Sequence, residues 1–399
     1  VPAPHPLTPH IPRTSPVLLP SPASLSWDIF CRVVDNLGDV GVSWRLARGL
    51  AQRGQRVRLW IDEPGPLAWM APEGAPGVEW ARWPEPFPAI EPADVVVETF
   101  GCDVPGEVLR RLAARAAGSP PAGSSAPGPA QGPAPVWIDV EYLSAEPWVA
   151  RSHALPSPQF HGPASGLTRW FFFPGFNPAT GGLLREPGLL EARAAFDRDA
   201  WLGAHGLARR PGERVLVVFC YDDQPAFTRL SAAFEEAAGA GPLLMLLTPG
   251  PAQQLATGCN WAPGTRVHAL PWFTQDDFDR LLWCADLCTV RGEDSLVRAI
   301  WAGVPFLWQA YPQHDGVHAA KVEAMLADLD APAAVAAPLA DAWRAWNGGS
   351  RGAALHPLRL PPLGPWGEAV RAWRARLAAQ PDLVSQLLAF ASTRAYAAG

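Results

Sequence analysis

The sequence predicts an α/β protein made of two Rossmann-like domains that face a central cleft. Three observations carry that prediction. A strand, a turn, an amphipathic helix and a second strand follow one another in "WDIFCRVVDNLGDVGVSWRLARGLAQRGQRVRLW". Strands and helices alternate again from Val215 onwards, and the aromatic, Pro and Gly punctuation of "RWFFFPGFNPATGGLLRE" separates the two series. A chain of 399 residues, 48% hydrophobic and 18% charged, is long and apolar enough to bury a core in each domain.

Residues 1–24 are rich in Pro and Ser and are expected to form a disordered extension, without the basic start or unbroken apolar core of a signal peptide. The N-terminal domain is expected over residues 25–180. There "WDIFCRVV" reads as a strand, the stretch around "VSWRLARGLAQRG" as the helix and "QRVRLW" as the next strand. "VVVETF" and "VWIDVEYLS" follow as further strands, and the Pro/Gly/Ser-rich segment 116–135 between them is a surface loop. The C-terminal domain is expected over residues 181–368. It opens on the strand "ERVLVVFCYDD" and continues through the helix "AFTRLSAAFEEAAGA", the strands "PLLMLLTPG" and "TRVHALPW", the helix "QDDFDRLLWCA", the short strand "DLCTV", the helix "SLVRAIWAG" and the strand "PFLWQAYP". Residues 369–399 are helical and are expected to pack back on the first domain.

Composition excludes several functions. A net charge of −6 argues against a general nucleic-acid binder. No run approaches the roughly 18 apolar residues of a membrane span. The six cysteines form no CxxC pair and read as reduced core residues of a cytosolic protein. The first turn lacks a GxGxxG fingerprint, which argues against an NAD oxidoreductase.

Two stretches carry chemistry. "DNLGDVG" places Asp35 and Asp39 four residues apart in a βα turn, where open parallel sheets keep their ligands. On its own it also reads as an Asx-turn with Asp39 capping the helix. "VRGEDS" runs from a strand into a helix expected to begin near Ser295, so that the first-turn N–H groups and Arg291 suit a phosphate. Glu293 and Asp294 suit sugar hydroxyls, because a carboxylate accepts from two at once. A capped helix explains the same letters. Together the features point to a nucleotide-sugar, with a small-molecule glycosyltransferase, an epimerase or a non-catalytic binding module as alternatives. Glu98 and Asp103 lie at another strand end and read as structural. His314 and His318 in "HDGVH" stand one turn apart without a further ligand cluster, so no metal is expected.

The stretches "WDIFCRVVDNLGDVGVSWRLARGL", "FCYDD" and "FTQDDFDRLLWCADLCTVRGEDSLVRAIWAGVPFLWQAYPQHDGVHAAKVEAML" resemble the EarP family, bacterial enzymes that transfer rhamnose to an arginine of translation elongation factor P. The resemblance runs from about Trp27 to the C-terminus, interrupted by the Pro-rich insert. It implies a GT-B fold, with the acceptor on the N-terminal domain, the nucleotide-sugar donor on the C-terminal domain, and inversion without a metal. It implies that Asp35 and Asp39 are catalytic and hold the acceptor, Asp39 being the base, and that Glu293 assists. The donor residues it implies are Phe219, Tyr221, Gln275, Phe278, Arg291, Glu293, Asp294 and Ser295, with thymine stacked on Phe278. No cofactor is implied, TDP-β-L-rhamnose being the donor substrate. Elongation factor P is the implied partner, with no direct nucleic acid and no membrane, and the implied location is the bacterial cytoplasm, where the modification serves polyproline translation.

The chemistry of arginine agrees with that layout. A guanidinium is delocalised, protonated and weakly nucleophilic. One carboxylate can hold it by paired hydrogen bonds while another takes its proton as the C–N bond forms.

Overall fold

The computed structural model describes residues 24–35, 37–118, 134–222, 224, 226–239, 241–312, 317–348 and 358–396. The expected N-terminal extension apart from Ser24, most of the 116–135 loop, and His314 lie outside the described residues. The first half runs β1 (Ser26–Cys31), α1 (Gly38–Ala51), β2 (Arg56–Ile61), α2 (Leu67–Met70), β3 (Val78–Arg82), β4 (Val95–Thr99), α3 (Gly106–Ala116), β5 (Val136–Val140), α4 (Trp148–Ser152), β6 (Pro156–Pro158) and β7 (Thr168–Phe172). Two helices follow, α5 (Leu189–Ala194) and α6 (Arg198–Ala204). The second half runs β8 (Arg214–Val218), α7 (Leu230–Ala238), β9 (Leu243–Leu247), α8 (Pro251–Leu255), β10 (Thr265–Ala269), α9 (Gln275–Cys284), β11 (Leu287–Arg291), α10 (Asp294–Ala302), β12 (Phe306–Gln309), α11 (Val317–Leu329) and α12 (Ala333–Asn347). The chain closes with α13 (Leu363–Ala378) and α14 (Leu383–Tyr396).

The strands form two sheets. The first has the order β3-β2-β1-β4-β5-β7-β6 and is parallel except where β6 meets β7. The second, β10-β9-β8-β11-β12, is wholly parallel. Parallel strands covered on both faces are apolar throughout, and "VVVET" of β4 and "LLMLL" of β9 are buried at every position. The period of two shows in β1. Trp27, Ile29 and Cys31 join the core beneath α1, while Phe30 packs with Trp83, Val96 and Leu112 on the other face.

The C-terminal helices divide between the halves, which corrects the expectation that residues 369–399 pack back on the first domain. Trp366, Val370 and Trp373 of α13 lie in the second core, with Trp373 stacked on Phe306. Only α14 returns to the first half, where Leu383, Val384 and Leu387 join Trp44 and Leu50. The break falls at Pro381, which cannot continue a helix.

All the cysteines are free, five of them buried. No described helix is long and apolar enough to cross a membrane.

Candidate active site

The C-terminal ends of the parallel strands of both sheets open toward one another. Between them lies a cavity, lined from the first half by Asp35, Leu37, Gly38 and Trp69, and from the second by Phe219, Trp272, Phe278, Arg291 and Ser295, among others.

Asp35 and Asp39 do different things. Asp39, in the first turn of α1, is 3% exposed, and its Oδ2 accepts from the backbone N–H of Val34 at 2.7 Å and of Asp35 at 2.8 Å. It folds the β1–α1 loop back on the helix start and does not itself line the cavity. Burial lifts its carboxyl above the ordinary range, the two N–H bonds opposing and Asp35 and Asp62 reinforcing. Asp35 lines the cavity, and its Oδ2 accepts from the Tyr221 hydroxyl of the second half at 2.7 Å. Burial raises its carboxyl too, against Tyr221 and Arg291.

That meeting point requires glycine. Gly292 has φ +61°, and a Cβ there would lie 2.8 Å from the Asp35 Oδ2 and 3.0 Å from the Tyr221 hydroxyl. Arg291, just before it, has its guanidinium 4.5 Å from the ring centres of both Phe219 and Tyr221 and donates to the Cys220 carbonyl at 3.0 Å. Phe219 meets Phe278 edge to face, with centroids 5.5 Å apart.

Helix α10 begins at Asp294, one residue before the expected start. The Ser295 hydroxyl is committed to its own turn: it accepts from the Arg291 N–H and donates to the Arg291 carbonyl. Glu293 is half-buried, and its Oε2 accepts from the Leu143 N–H of the first half at 2.8 Å. Burial pushes its carboxyl up to about 8, with Leu143 and Lys321 opposing and Asp39 and Asp35 reinforcing.

Two of the expected donor residues bind the first half. The Gln275 side-chain amide donates to the Gly41 carbonyl at 3.0 Å, and Asp294 pairs with the Arg45 Nε at 3.0 Å. Gly41 makes room for both, since a Cβ there would lie 3.1 Å from each. Both residues also line the cavity, and the Gln275 Oε1 is buried without a partner among the described residues.

The sequence reading missed the groups around these contacts. Arg45, its side chain 0% exposed, bonds Glu186 at 2.9 Å and Asp279 at 3.0 Å, and Arg298 bonds the same two acids. The result is a buried ionic cluster joining α1, the linker after β7, α9 and α10. Trp69 stacks on Trp272 across the cavity mouth, with centroids 4.3 Å apart. Trp272 was within reach of the strand-end rule, because it follows β10 at the ligand-binding edge. Trp69, on the short helix α2, gave no such signal. Glu98, read as structural, is buried on Arg169 at 3.2 Å. Among the described residues no group of three or more His, Cys, Asp or Glu is arranged to hold a metal ion.

Comparison with known proteins places this site in a family. Residues 27–392 match the family model described as Elongation-Factor P (EF-P) rhamnosyltransferase EarP. The chain is 41% identical over 395 residues to the protein-arginine rhamnosyltransferase of Pseudomonas aeruginosa, covering 92% of this chain and 98% of that protein. It is 34% identical over 409 residues to that of Shewanella oneidensis, covering 91% and 97%. A solved structure described as the structural basis for EarP-mediated arginine glycosylation of translation elongation factor EF-P superposes with a TM-score of 0.56 at 30% identity, over 92% of this chain and 98% of that one. The two facing Rossmann-like halves are the GT-B fold. The chain is a glycosyltransferase and belongs to the EarP family of protein-arginine rhamnosyltransferases.

Proposed function

We propose that this protein transfers L-rhamnose from TDP-β-L-rhamnose to an arginine side chain of translation elongation factor P, inverting the anomeric carbon to give α-rhamnosyl-arginine and TDP. The observation that carries the reading is the junction at Asp35. A carboxylate of the first half is hydrogen-bonded to Tyr221 of the second at 2.7 Å, beside Arg291 and the start of α10. An inverting displacement needs the nucleophile and the leaving group on opposite faces of the sugar. Asp35 on one wall and Arg291 on the other supply that layout.

In this reading Phe278 stacks the thymine and Phe219 packs against its edge. The unpartnered Gln275 Oε1 is an acceptor for a nucleobase N–H. Arg291 and the first-turn N–H groups of α10 take the charge of the departing pyrophosphate, so no metal enters the scheme. Asp35 holds the incoming guanidinium by paired hydrogen bonds, exchanging its Tyr221 contact for the acceptor. Asp39, raised by burial and set behind Asp35, accepts the proton as the C–N bond forms once the acceptor has opened the β1–α1 loop over it. Glu293, protonated at neutral pH by its burial, donates to a sugar hydroxyl. Asp294 holds the two halves together through Arg45 and presents its remaining oxygen to the donor. The reaction belongs in the bacterial cytoplasm and activates the factor for polyproline translation.

The test is intact-mass spectrometry of elongation factor P after incubation with this protein and TDP-β-L-rhamnose. A gain of one deoxyhexose, mapped to an arginine, is the expected result. Donor hydrolysis with the factor unmodified would move the acceptor to a small molecule.

A further inference from the structure

We propose that a groove at the opposite edge of the second sheet binds a polyphosphate anion, at a site separate from the cleft. The groove is broad and open to solvent. Its floor includes Arg214 at the start of β8, Asp286 just before β11, and Val304 and Pro305 just before β12. These are the N-terminal ends of parallel strands whose C-terminal ends form the cleft, so the two cavities lie on opposite edges of one sheet.

Five arginines line the groove, Arg193, Arg198, Arg214, Arg371 and Arg374, and Asp286 is the one acid among the lining residues. That acid is already engaged. Its Oδ1 accepts from Arg198 at 3.0 Å and its Oδ2 from the Val215 N–H at 2.8 Å. Four cations remain. Arg193 and Arg374 donate to the final carbonyls of α10, Arg193 to Ala302 at 3.1 Å and Arg374 to Trp301 at 3.3 Å. Those contacts leave further N–H donors on each fork, since a guanidinium carries five. The guanidinium groups of Arg214 and Arg371 form no hydrogen bond or ion pair among the described residues.

Chance composition does not explain the crowding, because the chain as a whole carries −6. Like charges held together repel, and the effect is visible in the groups themselves. Burial pushes the Arg193 guanidinium down, with Arg374 and Arg198 adding to it, and burial with Arg371 does the same to Arg374. An anion in the groove relieves both. Arginine forks match phosphate oxygens in pairs, and cations on several walls suit a ligand with more than one phosphoryl group. Phe196, partly buried, meets Trp283 edge to face at 5.2 Å on the same wall and offers a nucleobase an apolar neighbour. The phosphate chain therefore comes either from an inorganic polyphosphate or from a nucleoside polyphosphate.

The test is isothermal titration of the whole protein with sodium tripolyphosphate and, separately, with ATP. It compares wild type, the Arg214→Gln/Arg371→Gln double variant, and Arg291→Gln as a control that weakens the cleft. Wild type should bind tripolyphosphate saturably, more weakly as salt rises. The double variant should lose about a hundredfold, roughly tenfold per charge-assisted contact, and Arg291→Gln should keep that binding. ATP binding that is tighter than tripolyphosphate, kept by Arg291→Gln and lost by the double variant, identifies a nucleotide, and equal binding with that same pattern identifies the phosphate chain alone; ATP binding lost only in Arg291→Gln belongs to the cleft and counts against a nucleotide in the groove. Failure of tripolyphosphate to bind at millimolar concentration in low salt would overturn the proposal. So would equal binding by the double variant, or loss of binding in Arg291→Gln. If the double variant melts below wild type, Arg371→Gln alone, exposed on α13, should weaken binding about tenfold, and an unchanged affinity there also overturns the proposal.

Discussion

At the scale of the residue, the carboxylates of the cleft are set apart by what each touches. Asp39 is held by two backbone N–H groups of its own loop, Asp35 by a hydroxyl from the other half, and the half-buried Glu293 by the Leu143 N–H. Glu293 gives a pH signature. Its carboxyl titrates near 4.5 when exposed and at about 8 in the folded chain, so the folded state holds the proton more tightly. A raised value stabilises fully below the unfolded value and is lost as pH rises through the folded one. Wild type should therefore lose stability relative to Glu293→Gln between about pH 4.5 and 8, and the difference should be flat above that window. Thermal melts of the two proteins across pH check this; parallel curves throughout would show that Glu293 is not protonated in the fold. The letters "RGEDS" identified this acid as chemical. Its burial could not be read from them, because the group that covers it, Leu143, comes from the other domain.

At the scale of the element, α1 shows where sequence reading ran out. Its apolar period is plain, and Val40, Trp44, Ala47 and Leu50 pack under the first sheet as that period requires. The side of an amphipathic helix away from its apolar stripe ordinarily faces solvent. Instead Gly41 and Arg45 are buried against α9 and α10, because the second half covers that side. A buried ionic stripe and an exposed one are written in the same residue types, so only the tertiary contact distinguishes them. The consequence is energetic. Removing Arg45 leaves Asp279 and Asp294 with Arg298, and Glu186 with Arg298 and Arg48, and breaking such a buried pair costs about 3–5 kcal/mol. Arg45→Gln should lower unfolding stability by that order in urea denaturation, whereas an exposed arginine such as Arg82 should cost under about 1 kcal/mol. A loss for Arg45→Gln no larger than the surface value would contradict the cluster's role in joining the halves.

At the scale of the whole molecule, the two strand–helix series and the edges of the sheets that face the cleft were legible, since alternation and strand-end turns are local patterns. The contacts between the halves were not, and the site is made of them: Asp35 with Tyr221, Leu143 with Glu293, Gly41 with Gln275, Trp69 with Trp272. The division of α13 from α14 between the two cores belongs to the same class, being decided by which surface is open to each helix. The central claim is that a carboxylate of the first half accepts the proton of an arginine attacking a sugar held by the second. The most direct test is transfer to elongation factor P by Asp39→Asn, read by intact mass, with TDP affinity measured alongside. Asparagine keeps an oxygen for the Val34 and Asp35 N–H groups, so the loop should hold and TDP should bind within about twofold of wild type, while transfer falls at least about a hundredfold. Transfer near the wild-type rate with the fold intact would contradict the claim.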